Sequence, residues 1–308
     1  MPSIVIFTAP KPFINPHIAM IQRNAIKSWQ SLGDDVDVIV FGNEAGTAEV
    51  TAELGVKHCP EVQISEWGTP LISSMFTLAR QVSPAPYLGI VNADILLMPD
   101  FIKAIQQVSA QAERFLVMSQ RWDLDVNQYL DFNPEWVEHL RSQVHQRGRL
   151  HPPVGSDYYV FPRSLLTDMP DFAIGRSGWD NWTIYHARRA GWAVVDITPS
   201  VMLVHQNHDY SHLPGGLPPY DLPETQKNIV LGGGMKHMYT ILEANKVLVD
   251  GKIRPARMNK HRLLHRLELM VTTDEPRGFR KTIVQRLKRM RRKKETTDKH
   301  KPAQIKNL

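Results

Sequence analysis

The sequence contains a single cysteine, Cys59, and no long uninterrupted run of apolar residues. One cysteine excludes an internal disulfide, and no window approaches the roughly 18 apolar residues that a membrane-spanning helix needs. The first residues also lack the basic flank and long apolar stretch of a signal peptide. We therefore expect a cytoplasmic protein, for which peripheral contact at the inner face of the cell membrane is the one membrane association left open.

Two glycine-rich phosphate-binding motifs are missing as well. The first apolar strand is followed by "FTAPKPFINP", which matches neither the GxGxxG fingerprint nor the GxxxxGK[ST] loop. A classical NAD enzyme and a P-loop NTPase are therefore disfavoured. A nucleotidyltransferase is disfavoured too, because the glycine- and arginine-rich loop typical of that class is absent. The glycines of "LGGGM", residues 231–235, come too late in the chain and are interpreted as a flexible loop.

Charge is distributed unevenly along the 308 residues. The net charge of +6 combines a tail, residues 251–308, that has 19 Lys and Arg against 5 Asp and Glu, with a body of net charge −8. The acidic body gives no reason to expect a nucleic-acid partner. The basic tail could attract phosphates or anionic lipid instead.

Strand-length apolar runs alternate with segments of helical period along the body. Asn15 followed by Pro16 predicts a helix start that Gly33 ends, Thr69 and Pro70 predict another, and Asp100 is expected to cap a third. The strands are predicted within residues 3–10, 36–42, 87–97 and 114–120. This order predicts an α/β fold with a mostly parallel sheet flanked by helices, and functional sites beyond the carboxyl ends of its strands.

We expect a catalytic domain over residues 1–250 and a basic, partly helical or disordered tail over residues 251–308. Within the domain, residues 1–120 are predicted to form a nucleotide-binding half and residues 121–250 an acceptor half.

An acidic residue follows the first apolar run of the third of these strands, in "IVNADILLMPD". Asp94 comes directly after a run that reads as a buried parallel strand. Carboxylate oxygens are the ligands that Mg²⁺ and Mn²⁺ prefer, so Asp94 is a candidate metal ligand; a structural role in a turn is the alternative.

A second acidic position lies in "GRSGWDNWTIYHARRAG". Asp180 is predicted at the first turn of a helix, where it serves either as a cap or as a general base that accepts a proton from an attacking hydroxyl. Its aromatic neighbours Trp179 and Trp182 offer faces for a sugar ring, with core packing as the alternative. Asp157, in "GSDYYVF", is a further candidate for the base or for an acceptor contact.

Three histidines follow an apolar run in "SVMLVHQNHDYSHLPGG": His205, His208 and His212. Their spacing would let them converge on Zn²⁺ in a helix, but the flanking residues predict a strand followed by a loop.

These segments together resemble glycosyltransferases of the GT-A fold, in particular family-2-like bacterial nucleotide-diphospho-sugar transferases. The resemblance covers roughly residues 3–245 and depends on the "NAD" triplet, on "GRSGWDNW" and on "HQNHDYSH". It implies a divalent-metal-dependent transfer, with Mn²⁺ or Mg²⁺ as cofactor, from a nucleotide-diphospho-sugar donor to a sugar or glycolipid acceptor. Inversion at the anomeric carbon is expected.

Individual roles follow from the same resemblance. It implies that Asp94 and His205 bind the metal, that Asp180 is the base, and that His208 contacts phosphate or acceptor. The donor nucleotide is expected near three residues of the first two strand ends and near the triplet: Thr8, Pro10, Glu44, Asn92 and Asp94. His212 is expected in a loop that folds over the donor.

The sequence also departs from the family pattern. Asn92 stands at the first DxD position, and Trp179 stands before Asp180 where an acidic residue is usual. The QxxRW motif of processive enzymes is absent after Asp180, which disfavours polymer synthesis at a membrane. Because Asn92 is a weak metal ligand, an inactive nucleotide-sugar binding module remains an alternative, as does a metal-dependent hydrolase that uses the three histidines.

The tail repeats apolar residues at helical spacing among Arg and Lys. Phe279, Ile283, Leu287 and Met290 would form one face of a helix within residues 279–294. Such a helix is typical of contact with an anionic membrane surface, and a solvated basic end is the alternative.

Overall fold

The structure is a computed structural model that describes residues 3–209, 222–274 and 278–298, with side chains described up to residue 291. The strands are β1 (Ile4–Thr8), β2 (Val36–Phe41), β3 (Lys57–Cys59), β4 (Tyr87–Val91), β5 (Ile95–Leu96), β6 (Phe115–Met118), β7 (Trp122–Leu124), β8 (Arg149–Leu150), β9 (Tyr158–Pro162), β10 (Ala193–Asp196), β11 (Val204–Gln206), β12 (Lys246–Val249) and β13 (Lys252–Pro255). The helices are α1 (Pro16–Gln30), α2 (Thr47–Leu54), α3 (Ile72–Val82), α4 (Asp100–Ser109), α5 (Trp136–Arg147), α6 (Trp179–Arg189), α7 (Pro223–Leu231), α8 (Lys260–Val271) and α9 (Gly278–Asp298). Short 3₁₀ turns cover Met235–His237 and Ile241–Glu243.

Among the described residues, nine strands form the main sheet in the order β13-β12-β10-β6-β9-β4-β1-β2-β3. Neighbours pair in parallel except at β9, which runs antiparallel between β4 and β6, and at β13, which runs antiparallel to β12. A smaller sheet has the order β5-β11-β7-β8. The mostly parallel α/β sheet flanked by helices that the sequence predicts is confirmed.

The two faces of the main sheet are covered by separate apolar clusters. Val5 and Phe7 of β1 belong to one cluster, whereas Ile4 and Ile6 belong to the other. Successive side chains of a strand point to opposite faces, so both faces of this central strand are buried. This arrangement leaves the ends of the parallel strands as the place where polar side chains can gather.

Helix α1 begins as the sequence predicts. The Asn15 side chain accepts hydrogen bonds from the backbone N–H groups of His17 and Ile18, and Pro16 occupies the first turn. The apolar face of the helix is fully buried, and the indole N–H of Trp29 donates to Ile95 O at 2.9 Å. This contact fixes the chain just beyond β4.

Two other predicted helix starts are wrong in detail. Helix α3 begins at Ile72 because Pro70 forms an isolated β-bridge with Ile64 and is held in a loop. Asp100 lies in the first turn of α4 without capping it, since its side chain accepts from Arg141 and from the Met202 N–H instead.

The chain beyond β4 makes a turn where the sequence predicts one continuous strand. The Ile95 N–H donates to Asn92 O at 3.1 Å, so residues 92–94 form a turn between β4 and β5. The "NAD" triplet is therefore lifted out of the sheet at a strand end. If the strand continued through residues 92–94, their side chains would alternate between the two faces of the sheet.

The boundary predicted at residue 250 falls at the turn of the β12–β13 hairpin, so residues on both sides of it belong to the main sheet. Helix α8 is attached to the body by Arg262, which donates to Leu242 O and Ala244 O, and by a buried contact between His265 Nδ1 and Glu243 Oε1 at 2.8 Å. Within the described residues, no helix combines the length and apolar character needed to cross a bilayer.

Candidate functional site

A cavity of about 570 Å³ opens beyond the carboxyl ends of β1 and β4. Ten of the eleven site residues predicted from the sequence line it: Thr8, Pro10, Glu44, Asn92, Asp94, Asp157, Trp179, Asp180, His205 and His208. The position agrees with the rule that parallel α/β sheets bind ligands outside the carboxyl ends of their strands. His212 lies outside the described residues.

Asp94, His205 and His208 converge at one end of this cavity. Each offers one ligand atom, and these atoms lie within 4.8 Å of one another. The distances to Asp94 Oδ2 are 3.1 Å from His208 Nε2 and 4.0 Å from His205 Nε2. Antiparallel pairing of β5 with β11 places His205 opposite Ile95, directly beside the turn that carries Asp94.

A backbone contact orients the ring of His208. Its Nδ1 lies 2.6 Å from Asp209 O, and since a carbonyl oxygen only accepts, Nδ1 carries the proton. Nε2 is then the ring nitrogen that faces Asp94 Oδ2 and Lys11 Nζ. A backbone carbonyl behind the ring is the usual support of a metal-binding histidine. Burial lowers the pKa of His205, which also favours the neutral ring that a metal requires.

The chemistry of these donors fits a divalent cation. Asp94 Oδ1 is buried and has no hydrogen-bond partner among the described residues, so one carboxylate oxygen is available as a ligand. Two imidazole nitrogens beside a carboxylate suit Mn²⁺ better than Mg²⁺, which prefers oxygen ligands throughout. Asp94, His205 and His208 are the residues that would hold such a cation.

Lys11 supplies positive charge at this position. Its Nζ lies 2.8 Å from His208 Nε2 and 3.4 Å from Asp94 Oδ2. Burial alone would raise the pKa of Asp94, but the Lys11 ammonium and the contact with His208 hold that pKa well below its usual range. Lys11 is a functional candidate that the sequence reasoning missed, although it is the only basic residue in the loop after β1.

Asp157, directly before β9, lines the cavity and is already bound by two neighbouring side chains. Its Oδ1 accepts from the Arg121 guanidinium and, at 3.1 Å, from the Asn92 side-chain amide. Arg121 also binds Asp123, and both carboxylates raise the pKa of Arg121 despite its burial. These contacts favour a positioning role for Asp157 over the role of general base that the sequence left open.

Asp180 lies at the first turn of α6 and faces the cavity. Burial, partly offset by the N–H groups of Asn181 and Gly178, raises its pKa from 3.8 to about 6. Oδ1 accepts from the Gly178 N–H at 3.2 Å. A Cβ atom at Gly155 would lie 3.0 Å from Oδ2, so glycine at that position leaves Oδ2 accessible. A carboxylate with a pKa near 6 is suited to accept a proton at neutral pH.

The two tryptophans of α6 have different surroundings. Trp179 lines the cavity and packs edge-on against Tyr159. Trp182 does not line it, because its ring packs against Phe172 and His186 on the core side of the helix. The structure thus places the Trp182 ring outside the lining of this cavity, and its acceptor contact stays a prediction.

Arg176 is a second functional candidate that the sequence reasoning missed. It lines the cavity, and its guanidinium binds Glu224 Oε2 at 2.6 Å and the Thr69 hydroxyl at 3.3 Å. Glu224 is buried and also accepts from Ser65. The group joins α7 to the loop before α3. No local pattern marked it, because its members are far apart in sequence.

No family model and no curated protein matches the sequence. Similar solved structures include two complexes of glucosyl-3-phosphoglycerate synthase from Mycobacterium tuberculosis. The complex with Mn²⁺, UDP and phosphoglyceric acid is 20% identical over 67% of this chain and 70% of that one, with a TM-score of 0.43. The complex with Mn²⁺, UDP and glucosyl-3-phosphoglycerate is 17% identical over 83% and 88%, with a TM-score of 0.46.

A mannosyltransferase from Pyrobaculum calidifontis, in complex with GDP-Man and Mn²⁺, is 16% identical over 68% of this chain and 59% of that one, with a TM-score of 0.42. The match therefore spans less than two thirds of that enzyme. All three TM-scores are below 0.5, so these similarities by themselves assign no activity to this chain.

Proposed function

We propose that the protein is a glycosyltransferase that moves a sugar from a nucleotide-diphosphate donor to an acceptor hydroxyl. The observation that carries the proposal is one cavity that contains both a metal-binding group of Asp94, His205 and His208 and a separate carboxylate, Asp180, with a pKa of about 6. Transfer from such a donor needs charge stabilisation at the leaving diphosphate and a base at the acceptor.

The donor is proposed to lie along the strand ends. Thr8, Pro10 and Glu44 line the part of the cavity next to β1 and β2, where we place the nucleoside. Asn92 and Asp94 would lie nearer the diphosphate. A divalent cation bound at Asp94, His205 and His208, Mn²⁺ in preference to Mg²⁺, would neutralise the charge that develops on the leaving diphosphate. Lys11 is the protein's own cation at the same position.

The acceptor is proposed to lie between Trp179 and Asp180. Its hydroxyl oxygen attacks the anomeric carbon as the bond to the diphosphate oxygen breaks, and its proton passes to Asp180. The nucleoside diphosphate leaves with the electron pair of the broken bond. A single displacement of this kind inverts the anomeric centre. Because the Arg121 guanidinium holds Asp157, that carboxylate would orient the site rather than take the proton.

Ligand binding tests the first half of the proposal. The purified chain is screened against nucleotide-diphospho-sugars with Mn²⁺, Mg²⁺ or EDTA, and the melting temperature is measured, since a ligand that binds only the folded state raises it. We expect one donor to raise the melting temperature only when the metal is present. Asp94→Asn should abolish this rise. A chain that responds to no donor in any metal would refute the proposal.

Transfer tests the second half. With the donor identified, a panel of sugar and glycolipid acceptors is offered, and the product is analysed for anomeric configuration. Asp180→Asn should bind the donor like the unaltered chain but transfer at least about 100-fold more slowly. The exposed Asp34→Asn is the matched control and should transfer normally.

The same assays distinguish a glycosyltransferase from a hydrolase and from an inactive binding module. A metal-dependent hydrolase, which could use the Asp94, His205 and His208 group, would release free sugar or phosphate without any sugar or glycolipid acceptor. An inactive binding module would bind the donor and turn over nothing, which is the outcome that the neutral ligand Asn92 leaves open.

A further inference from the structure

Helix α8 exposes an apolar row to solvent. Leu263, Leu267 and Met270 are 50%, 39% and 73% exposed. Their spacing of four and three residues places them on one face of the helix. The opposite face is buried and contains Leu264, His265 and Glu268. Helices ordinarily bury such an apolar row in the protein core. The exposed apolar face of α8 therefore indicates a binding surface.

The orientation of α8 is fixed by polar contacts on its buried side. His265 Nδ1 lies 2.8 Å from Glu243 Oε1, and both side chains are almost completely buried. Arg262 donates to the carbonyls of Leu242 and Ala244. Rolling the helix to hide the apolar row would leave a buried charge without its partner, which is strongly unfavourable. The row therefore faces outward as a property of the fold.

Positive charge surrounds the apolar row. Lys260 and Arg266 are exposed on the same face of α8, at either side of Leu263. Four basic residues of α9 are exposed as well: Arg280, Lys281, Arg286 and Arg289. The whole segment 251–308 carries a net charge of +14, whereas the rest of the chain is acidic.

The apolar stripe predicted for α9 is only partly available. Val284 is buried and Ile283 and Leu287 are half-buried, while Phe279 and Met290 are exposed. α9 is tied to α8 by Arg291, whose Nε lies 3.2 Å from Glu268 Oε2, both side chains being buried. Part of the apolar stripe of α9 is thus buried against the rest of the protein. The continuous exposed row is on α8 instead.

We propose that the outward face of α8, made of Lys260, Leu263, Arg266, Leu267 and Met270, docks on the surface of an anionic lipid bilayer. Apolar side chains can enter the interface between headgroups and acyl chains while the basic residues meet lipid phosphates. A nucleic acid would use the charge but not the apolar row, which favours the bilayer. This docking does not depend on the proposed activity.

Vesicle co-sedimentation tests the proposal. The full chain is mixed with phosphatidylcholine vesicles, with and without about a third of phosphatidylserine, at low and high salt. We expect binding to the anionic vesicles, at least tenfold weaker binding to neutral ones, and loss at high salt. The double variant Leu263→Glu/Leu267→Glu should lose at least tenfold in affinity. Both positions are exposed, so the melting temperature should be unchanged.

The matched control places the same new charge elsewhere. Val230, on α7, is 77% exposed, so Val230→Glu should bind vesicles like the unaltered chain. Equal binding by the double variant, or no preference for anionic vesicles, would overturn the proposal. Tighter binding to a duplex oligonucleotide than to anionic vesicles would overturn it as well, in favour of a nucleic-acid partner.

Discussion

Replacing Asp180 by Asn should make the protein more stable. Burial raises the pKa of Asp180 from 3.8 to about 6, so keeping this carboxylate ionised at neutral pH lowers the free energy of unfolding. The difference corresponds to about 3 kcal/mol at most, and water in the cavity reduces it because the side chain is only partly buried. Asn has no charge to desolvate and keeps the oxygen that accepts from the Gly178 N–H.

The gain in the free energy of unfolding from Asp180→Asn should increase with pH. A carboxylate whose pKa is raised on folding is best tolerated at low pH, where it is protonated, and costs stability as the pH rises through about 6. We therefore expect Asp180→Asn to exceed the unaltered chain by about 1–3 kcal/mol at pH 7.5. At pH 5 that advantage should shrink, by about 1.4 kcal/mol if the full 3 kcal/mol applies, since the folded carboxylate is then mostly protonated.

The assay is thermal or urea unfolding in EDTA at both pH values. A gain of 1–3 kcal/mol would raise the melting temperature by about 2–6 °C in a protein of this size. The exposed Asp34→Asn provides the baseline. A variant that melts lower than the unaltered chain at pH 7.5 would mean that Asp180 serves the helix as a stabilising cap. A gain that is the same at pH 5 would refute the electrostatic reasoning.

Three further outcomes follow from the same cavity. The transfer rate should fall about tenfold per pH unit below pH 6 as Asp180 is protonated, and a flat profile from pH 7 to pH 5 would contradict its role as base. Lys11→Met removes the ammonium 3.4 Å from Asp94, which should tighten Mn²⁺ binding by about 5- to 30-fold in calorimetry, with Lys57→Met as control. Gly155→Ala should slow transfer without weakening donor binding, because its methyl group would lie against Asp180 Oδ2; donor affinity lost in parallel would argue against that explanation.

Local sequence patterns predicted the fold well because its elements are marked locally. Asn15 and Pro16 start α1, and the apolar runs become buried strands, since capping and burial depend on neighbouring residues. The candidate residues Asp94, Asp180, His205 and His208 were found because each follows a strand or opens a helix. Strand ends gather at one edge of a parallel sheet, so position along the chain predicted proximity in space.

Other parts of the site could not be read from the chain. The contacts of Lys11 with His208 and of Arg121 with Asp157 join residues that are 197 and 36 positions apart. Nothing local to either partner encodes such a pairing. The orientation of Trp182 was missed for a related reason. Its apolar surroundings come from Phe172, which belongs to a different segment, and helical spacing alone does not decide which side of α6 faces the core.

The reversed direction of β9 has a consequence for protein engineering. Because β9 runs antiparallel to β4, it brings Asp157 to the same end of the sheet as Asn92, and the Asn92 amide donates to that carboxylate. Changing Asn92 to Asp, which would create a DxD triplet, would replace this donor by a second carboxylate at about the same distance. The two charges would compete for Arg121. We therefore expect Asn92→Asp alone to weaken the contacts of Asp157, and a second change at position 157 to relieve the repulsion.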